Sequence, residues 1–196
     1  LLWLRYPLSD GDWDQPTVLI SRLGVLLAFD AFVGNDLVYS FGKDYALGTG
    51  SFPGLTSHLI PLKKQMQGKT LTLKVFSDYG NIGIRGKVYI GERSDLISAI
   101  TKNDIIKFVL SLFMIFLGIM SMITYPKKNN IGPISMFGIL AISQGLYTIH
   151  LTTLKDLVFF APVFWFNIFI MTMALIPIGT VGFAWETFRP SKAHFL

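Results

Sequence analysis

Cysteine is absent from the chain. That excludes a disulfide scaffold and any Cys-based metal or redox site, while leaving the compartment open. Charge is scarce too: 15% of residues are charged and 52% are hydrophobic, against about 25% charged in ordinary soluble domains. Disorder and a plain soluble globule are both disfavoured. The shortage is local. Residues 1–104 hold 11 Lys/Arg and 10 Asp/Glu, whereas residues 105–196 hold 6 and 2, with 12 of the 17 Phe. Two physically different halves are joined, and the second is built for lipid. No Lys/Arg stripe with interleaved aromatics appears, so the net charge of +5 does not argue for nucleic acid. No initiator Met and no charged leader precede Leu1, and the chain is read as a fragment or a processed form.

Three segments pass the spanning test of about 18 apolar residues with few charges. Residues 108–125 carry no charge, and Lys107 snorkels to the near interface. Pro126 ends that run, and Lys127-Lys128-Asn129-Asn130 forms a polar turn. Residues 131–150 are the second run. The third, 157–185, contains Pro162 and Pro177 and has its spanning part at 163–185, bracketed near its ends by Trp165 and Trp185. Lys127, Lys128, Arg189 and Lys192 place 127–130 and the tail 186–196 in the cytoplasm, with loop 151–156 and residues 1–104 outside. No Asp, Glu or Arg lies mid-span, which counts against a pump or channel. Ser143 and Gln144 suit either a ligand path or hydrogen bonding to a neighbouring helix, the second being the commoner use. Gly138, Ala141 and Gly145 share a face that permits close helix packing.

The outer half reads as all-β. Leu71, Leu73 and Val75 alternate with Thr72 and Lys74, the period of a half-buried strand. Segments 25–33 and 37–41 flank Gly34-Asn35-Asp36, a hairpin signal. Further strands are expected at 2–6, 17–20, 57–61 and 82–90, with 42–54 as a Gly-rich loop. Short strands with no helix between them indicate a β-sandwich over residues 1–93. From Ser94 an N-cap, Asp95 in the first turn, and Leu96, Ile97 and Ile100 on one face predict a connecting helix over 94–107. Asn103-Asp104 offers a separate cap for the first span. No Gly/Ser linker intervenes, so the coupling is stiff.

Other signals are weak. Gly68-Lys69-Thr70 lacks the Gly that a phosphate loop requires five residues earlier, where Lys63 stands, and reads as a turn before a strand. Gly80, Gly83 and Gly86 have the wrong spacing for a dinucleotide fingerprint. His58, His150 and His194 are scattered. Asp10, Asp12 and Asp14 lack the later Gly and Glu of a calcium loop. No metal, cofactor or catalytic set is indicated, so the chain is not read as an enzyme.

The run from Phe29 to Gly42 (FDAFVGNDLVYSFG) resembles a hairpin of bacterial seven-transmembrane receptors with diverse intracellular signalling modules. So do HLIPL at His58–Leu62, Gly68-Lys69-Thr70-Leu71, and KVFSDY from Lys74 to Tyr79. The most specific part is Ile82-Gly83-Ile84-Arg85-Gly86-Lys87-Val88, with Gly91 and Arg93-Ser94-Asp95. The resemblance covers nearly the whole chain. It implies an extracytoplasmic jelly-roll (galactose-binding-like) sensor, similar to carbohydrate-binding modules, ahead of a histidine kinase or diguanylate cyclase. This chain has three spans and no output module, so that activity belongs outside it. The expected partners are the bilayer of the cell membrane and a small extracytoplasmic ligand, with carbohydrate a candidate; a homodimer is compatible. A membrane-anchored binding module without signalling output is the alternative reading. Sandwiches bind ligands with loops or one sheet face, aromatics meeting sugar rings and Asp, Asn or Arg meeting hydroxyls. Trp13, His58, Asp78, Tyr79 and Arg85 are the candidate ligand-binding residues. Each has a competing structural role: a lid on the core for Trp13, a strand-edge polar group for His58, a turn cap for Asp78, core for Tyr79 and a surface cation for Arg85.

Overall fold

Leu71, Leu73 and Val75 are 0%, 0% and 2% exposed, while Thr72 and Lys74 between them remain partly accessible. That alternation sets the inner face of the strand around which the first unit is built. The computed structural model describes residues 1–21, 28–76, 87–124 and 132–188. It divides into two units, Leu1–Asp104 with Thr153–Phe166, and Ile105–Thr152 with Asn167–Leu196.

In the first unit the strands are β1 (Leu2–Pro7), β2 (Pro16–Ile20), β3 (Ala28–Val33), β4 (Asp36–Phe41), β5 (His58–Pro61), β6 (Thr70–Phe76) and β7 (Val88–Glu92). They form two antiparallel sheets, one in the order β1-β6-β3-β4 and the other in the order β5-β2-β7. Phe29, Ala31, Val33, Leu71, Leu73 and Val75 from the first sheet join Val18, Ile20 and Ile60 from the second in one buried cluster. The inner faces of two sheets therefore share a single core, as alternation requires. Strand β2, central in its sheet, is buried along its whole length.

Turns fall where the residues allow them. Gly34, at φ 63°, and Asn35 close the β3–β4 hairpin between paired Val33 and Asp36. That backbone favours Gly and Asn. One extra residue, Val38, bulges β4 between the Ala31–Tyr39 and Phe32–Leu37 pairs. The expected 42–54 loop is not wholly irregular: Lys43–Ala46 makes one helical turn, α1, opened by Gly42 at φ 68°. The expected strands 25–33 and 82–90 extend outside the described residues, which cover them as β3 and β7.

From β7 the chain enters α2 (Arg93–Thr124) directly, with no break at Asn103-Asp104. The stretch after the second long helix departs from a plain solvated loop. Residues Leu154–Val158 form a short helix, α4, and both Lys155 and Asp156 are buried. Lys155 Nζ donates to Asp156 Oδ1, and the other carboxylate oxygen accepts the Ser57 backbone N–H at 3.2 Å. Asp104 Oδ2 accepts the N–H groups of Thr153 and Leu154 at 2.6 and 3.2 Å, satisfying helix-start donors that have no partner within their own helix. Gly54, at φ 88°, lies so close to the Pro162–Val163 backbone that an added Cβ would come within 2.5 Å of it. Phe52 and Phe166 meet with ring centroids 4.7 Å apart and planes inclined by 57°.

The second unit consists of α2 beyond Asp104, α3 (Pro133–Leu151) and α5 (Pro162–Phe188) from Asn167 onward. All three helices are long and apolar enough to cross a membrane. The protein is thus a β-rich domain joined to a multi-pass helical membrane region. Gly138, Ala141 and Gly145 are buried. A Cβ on Gly118 or Gly145 would fall 2.7 Å from the carbonyl of Gly138 or Ser111 respectively, so these glycines allow backbone-to-backbone approach of α2 and α3. Gly179 does the same for α5 against Leu140, and Gly182 leaves room for the Met136 side chain. One expectation is corrected. Among the described residues, the Ser143 hydroxyl donates to the Ile139 carbonyl one turn back, at 2.7 Å, rather than to a neighbouring helix. Gln144 faces outward. A buried hydroxyl finds its own i−4 carbonyl without requiring a partner helix to be positioned for it.

Leu73→Asp buries an unpaired charge in the shared core and is expected to abolish the cooperative thermal transition of the β-rich unit. Thr72→Asp, on the outer face, is expected to retain it. Circular dichroism melts of the full chain in detergent check both, and equal tolerance would contradict the register.

Candidate functional site

Odd positions of β1 face away from the core, so Trp3 (54% exposed) and Arg5 stand on the outer face of their sheet. The strand register sets their neighbours. Trp3 pairs with Lys74 and Lys74 with Asp30; Arg5 pairs with Thr72 and Thr72 with Phe32. Across these rows Trp3 and Phe32 meet with ring centroids 6.3 Å apart and planes inclined by 35°. Lys74 Nζ lies 5.8 Å from the Trp3 ring centroid, in range for a cation–π contact. Trp3, Arg5, Phe32, Gly34, Asn35 and Thr72 line an open depression of about 730 Å³. An exposed indole paired with a phenyl ring offers an apolar platform, and Arg5, Asn35 and Thr72 supply donors and acceptors at its rim. That combination suits a ligand with one apolar face and many hydroxyls.

Of the sequence candidates, the described Trp13 and His58 fall elsewhere. Asp78, Tyr79 and Arg85 lie outside the described residues. Trp13, half-buried before β2, places its indole against Gly11, where an added Cβ would be 2.6 Å from the ring. Its carbonyl accepts from Gln67 Nε2 at 2.8 Å. Nearby, Asp12 and Asp14 share Lys64 at 3.4 and 3.1 Å, and these two carboxylates raise the Lys64 pKa above its ordinary value.

His58 is at the start of the edge strand β5 but points inward, only 2% exposed. Phe29, Phe41 and Tyr39 surround it with centroid distances of 4.9, 4.6 and 5.6 Å. The Tyr39 hydroxyl lies 3.1 Å from His58 Nδ1. Burial lowers the His58 pKa from 6.5 to about 4 and raises that of Tyr39, so both are neutral near pH 7. They line a small cavity of about 160 Å³ with Ser57, Thr153, Asp156 and Phe160. The volume is below the roughly 300 Å³ at which ordinary ligand pockets begin, and Asp156 already accepts from Lys155 and Ser57. His58 and Trp13 therefore have structural surroundings, and the structure brings neither to the Trp3 platform. The sequence does carry a signal for that platform: Trp3 and Arg5 alternate with Leu2, Leu4 and Tyr6, which puts a tryptophan on the solvent side of a strand. Its partner Phe32 is set by long-range register, which no local pattern reports.

Comparison of the chain with protein-family models, with curated proteins and with solved structures finds no match.

Because the folded His58 pKa is below its ordinary value, the unfolded chain takes up the proton first as pH falls. The stability tied to neutral His58 is complete above about pH 6.5 and is lost progressively down to about pH 4. The full loss is about 3 kcal/mol. The apparent melting temperature is expected to fall across this window, and His58→Gln to flatten the slope. Identical slopes in the two proteins would contradict the burial of a neutral imidazole.

Proposed function

We propose that this chain is the sensory part of a bacterial membrane receptor, in which the β-rich domain binds a carbohydrate outside the cell. The observation that carries the reading is the Trp3–Phe32 platform, rimmed by Arg5, Asn35 and Thr72, on the free face of a sheet. Successive strands cross between the two sheets at β1–β2, β2–β3, β4–β5, β5–β6 and β6–β7, which supports a jelly-roll assignment. Strand β7 runs into α2 without a loop. That continuity favours a receptor over a tethered binding module, since a shift of β7 is transmitted along a helix rather than absorbed by a linker. The signal passes only if the sugar binds the two helix positions with different affinity. The output, a histidine kinase or diguanylate cyclase, belongs outside this chain. The platform faces the extracytoplasmic side, and Lys127 and Lys128, outside the described residues, are cytoplasmic.

Calorimetric titration of the full chain in nanodiscs with a panel of mono- and oligosaccharides tests the function. Trp3→Ala is expected to weaken the best ligand about tenfold or more with an unchanged melting temperature. Undiminished binding by that variant, or no binding across the panel, would contradict the proposal. For orientation, the absence of Cys gives a clean background. Lys69→Cys is expected to react with an impermeant maleimide in intact cells, and Lys128→Cys only after the membrane is opened. The reverse pattern would invert the topology.

A further inference from the structure

We infer that the ligand of the outer face is an acidic oligosaccharide, a chain of uronate units lying along β1 and β6, rather than a single neutral sugar. This rests on the carbohydrate reading above and narrows it.

The first observation is a second depression at the end of the same sheet, whose lining takes in the core residues Ala28 and Phe29 as well as outward-facing ones. It holds about 460 Å³ and is lined by Asp30, Lys43, Leu47, Lys74 and Phe76, together with Leu1. Trp3 and Arg5 are alternate residues on the outer side of β1, with Leu1 just before the strand, and Lys74 and Thr72 run beside them on β6. At a rise of about 3.3 Å per residue, the face from Leu1 to Arg5 extends about 13 Å, more than a single sugar ring occupies. Each depression has an aromatic surface. Trp3 and Phe32 furnish one; Phe76, with Tyr45 at 6.1 Å, furnishes the other. Lys74 joins them, lining the second depression while its ammonium lies near the Trp3 ring of the first.

The second observation is charge. Arg5, Lys43 and Lys74 line the two depressions, with Asp30 as the one carboxylate among the lining residues. Asp30 is already engaged, accepting the Ser40 hydroxyl at 2.7 Å. Among the described residues, the salt bridges join Lys64 to Asp12 and Asp14 and Lys155 to Asp156, and none involves Arg5, Lys43 or Lys74. The face thus presents three cations to one carboxylate, beside two aromatic surfaces. A uronate meets both demands: the ring carbons stack on the indole, and the carboxylate takes the Arg5 guanidinium in its forked geometry or the Lys74 ammonium.

The test is titration of the full chain, in nanodiscs of zwitterionic lipid, with oligogalacturonates of increasing length and with neutral gluco-oligosaccharides of matched length. Affinity for the acidic series is expected to rise about tenfold from the monosaccharide to a length that spans both depressions, and to exceed the neutral series by a similar factor. Arg5→Gln and Lys74→Gln are each expected to weaken acidic binding about tenfold, a clearly larger loss than for the neutral series, while leaving the melting temperature unchanged. Equal affinity for the neutral series, or no gain with length, would overturn the inference while leaving the carbohydrate reading standing. Binding of polyglutamate as tight as that of the acidic saccharides would overturn it too, as charge alone would suffice. Binding of neither series would remove both readings.

Discussion

Two carboxylates hold the arrangement on which the rest of the first unit depends. Asp104 receives the N–H groups of Thr153 and Leu154, and Asp156 receives that of Ser57 while ion-pairing with Lys155. Buried backbone donors must find an acceptor, and a charged acceptor bonds them about twice as strongly as a neutral one. The charge of Asp156 is tolerable in its buried position because Lys155 neutralises it. Lys155 in turn lies 5.8 Å from the Trp165 ring centroid. Gly54 completes the seam, its missing Cβ letting the Pro162–Val163 backbone approach. Residues Thr153–Phe166 are in this way part of the β-rich unit although they lie far along the chain from its strands. Because α3 ends at Leu151 and α5 begins at Pro162, the fastened segment is covalently continuous with both helices. With α2 leaving β7 directly, all three long helices are linked by chain to the domain that carries the platform.

The two faces of the first sheet divide the labour. Inward, Leu71, Leu73, Val75, Phe29, Ala31 and Val33 make the core; outward, the same strands present Trp3, Arg5, Lys74, Thr72 and Phe32. Period-two alternation forces this division, so a substitution on the outer face does not reach the core. His58 is the point where a polar group does enter. Its aromatic surroundings keep it neutral, and Tyr39 supplies a hydrogen-bond partner. It belongs to the stability of the sandwich more than to its ligand chemistry.

How much of this was legible in the sequence follows from the range of each interaction. Alternation in Leu71–Val75 and the turn chemistry of Gly34-Asn35 are local, so the strands and the hairpin could be read directly. The spans were legible because a bilayer demands long uncharged runs, and the small-residue face of α3 because helical spacing brings Gly138, Ala141 and Gly145 into line. What escaped was long-range. Lys155-Asp156 looks like a solvated loop pair until Ser57, 99 residues away in sequence, is placed beside it. Alternation puts Trp3 on the solvent side of its strand, but Phe32 comes beside it only once β6 and β3 set the register. Ser143 suits a ligand path or a neighbouring helix by sequence, while its own helix already offers it a carbonyl.

The central claim is that a saccharide on the outer sheet face is felt at the segment held by Asp104 and Asp156. Hydrogen–deuterium exchange of the full chain in nanodiscs, with and without the bound oligosaccharide, measures this directly. The account predicts slower exchange on β1, β3 and β6 together with a changed rate at the Ser57, Thr153 and Leu154 amides. Protection confined to the strands, with those three amides exchanging at their unliganded rates, would contradict it.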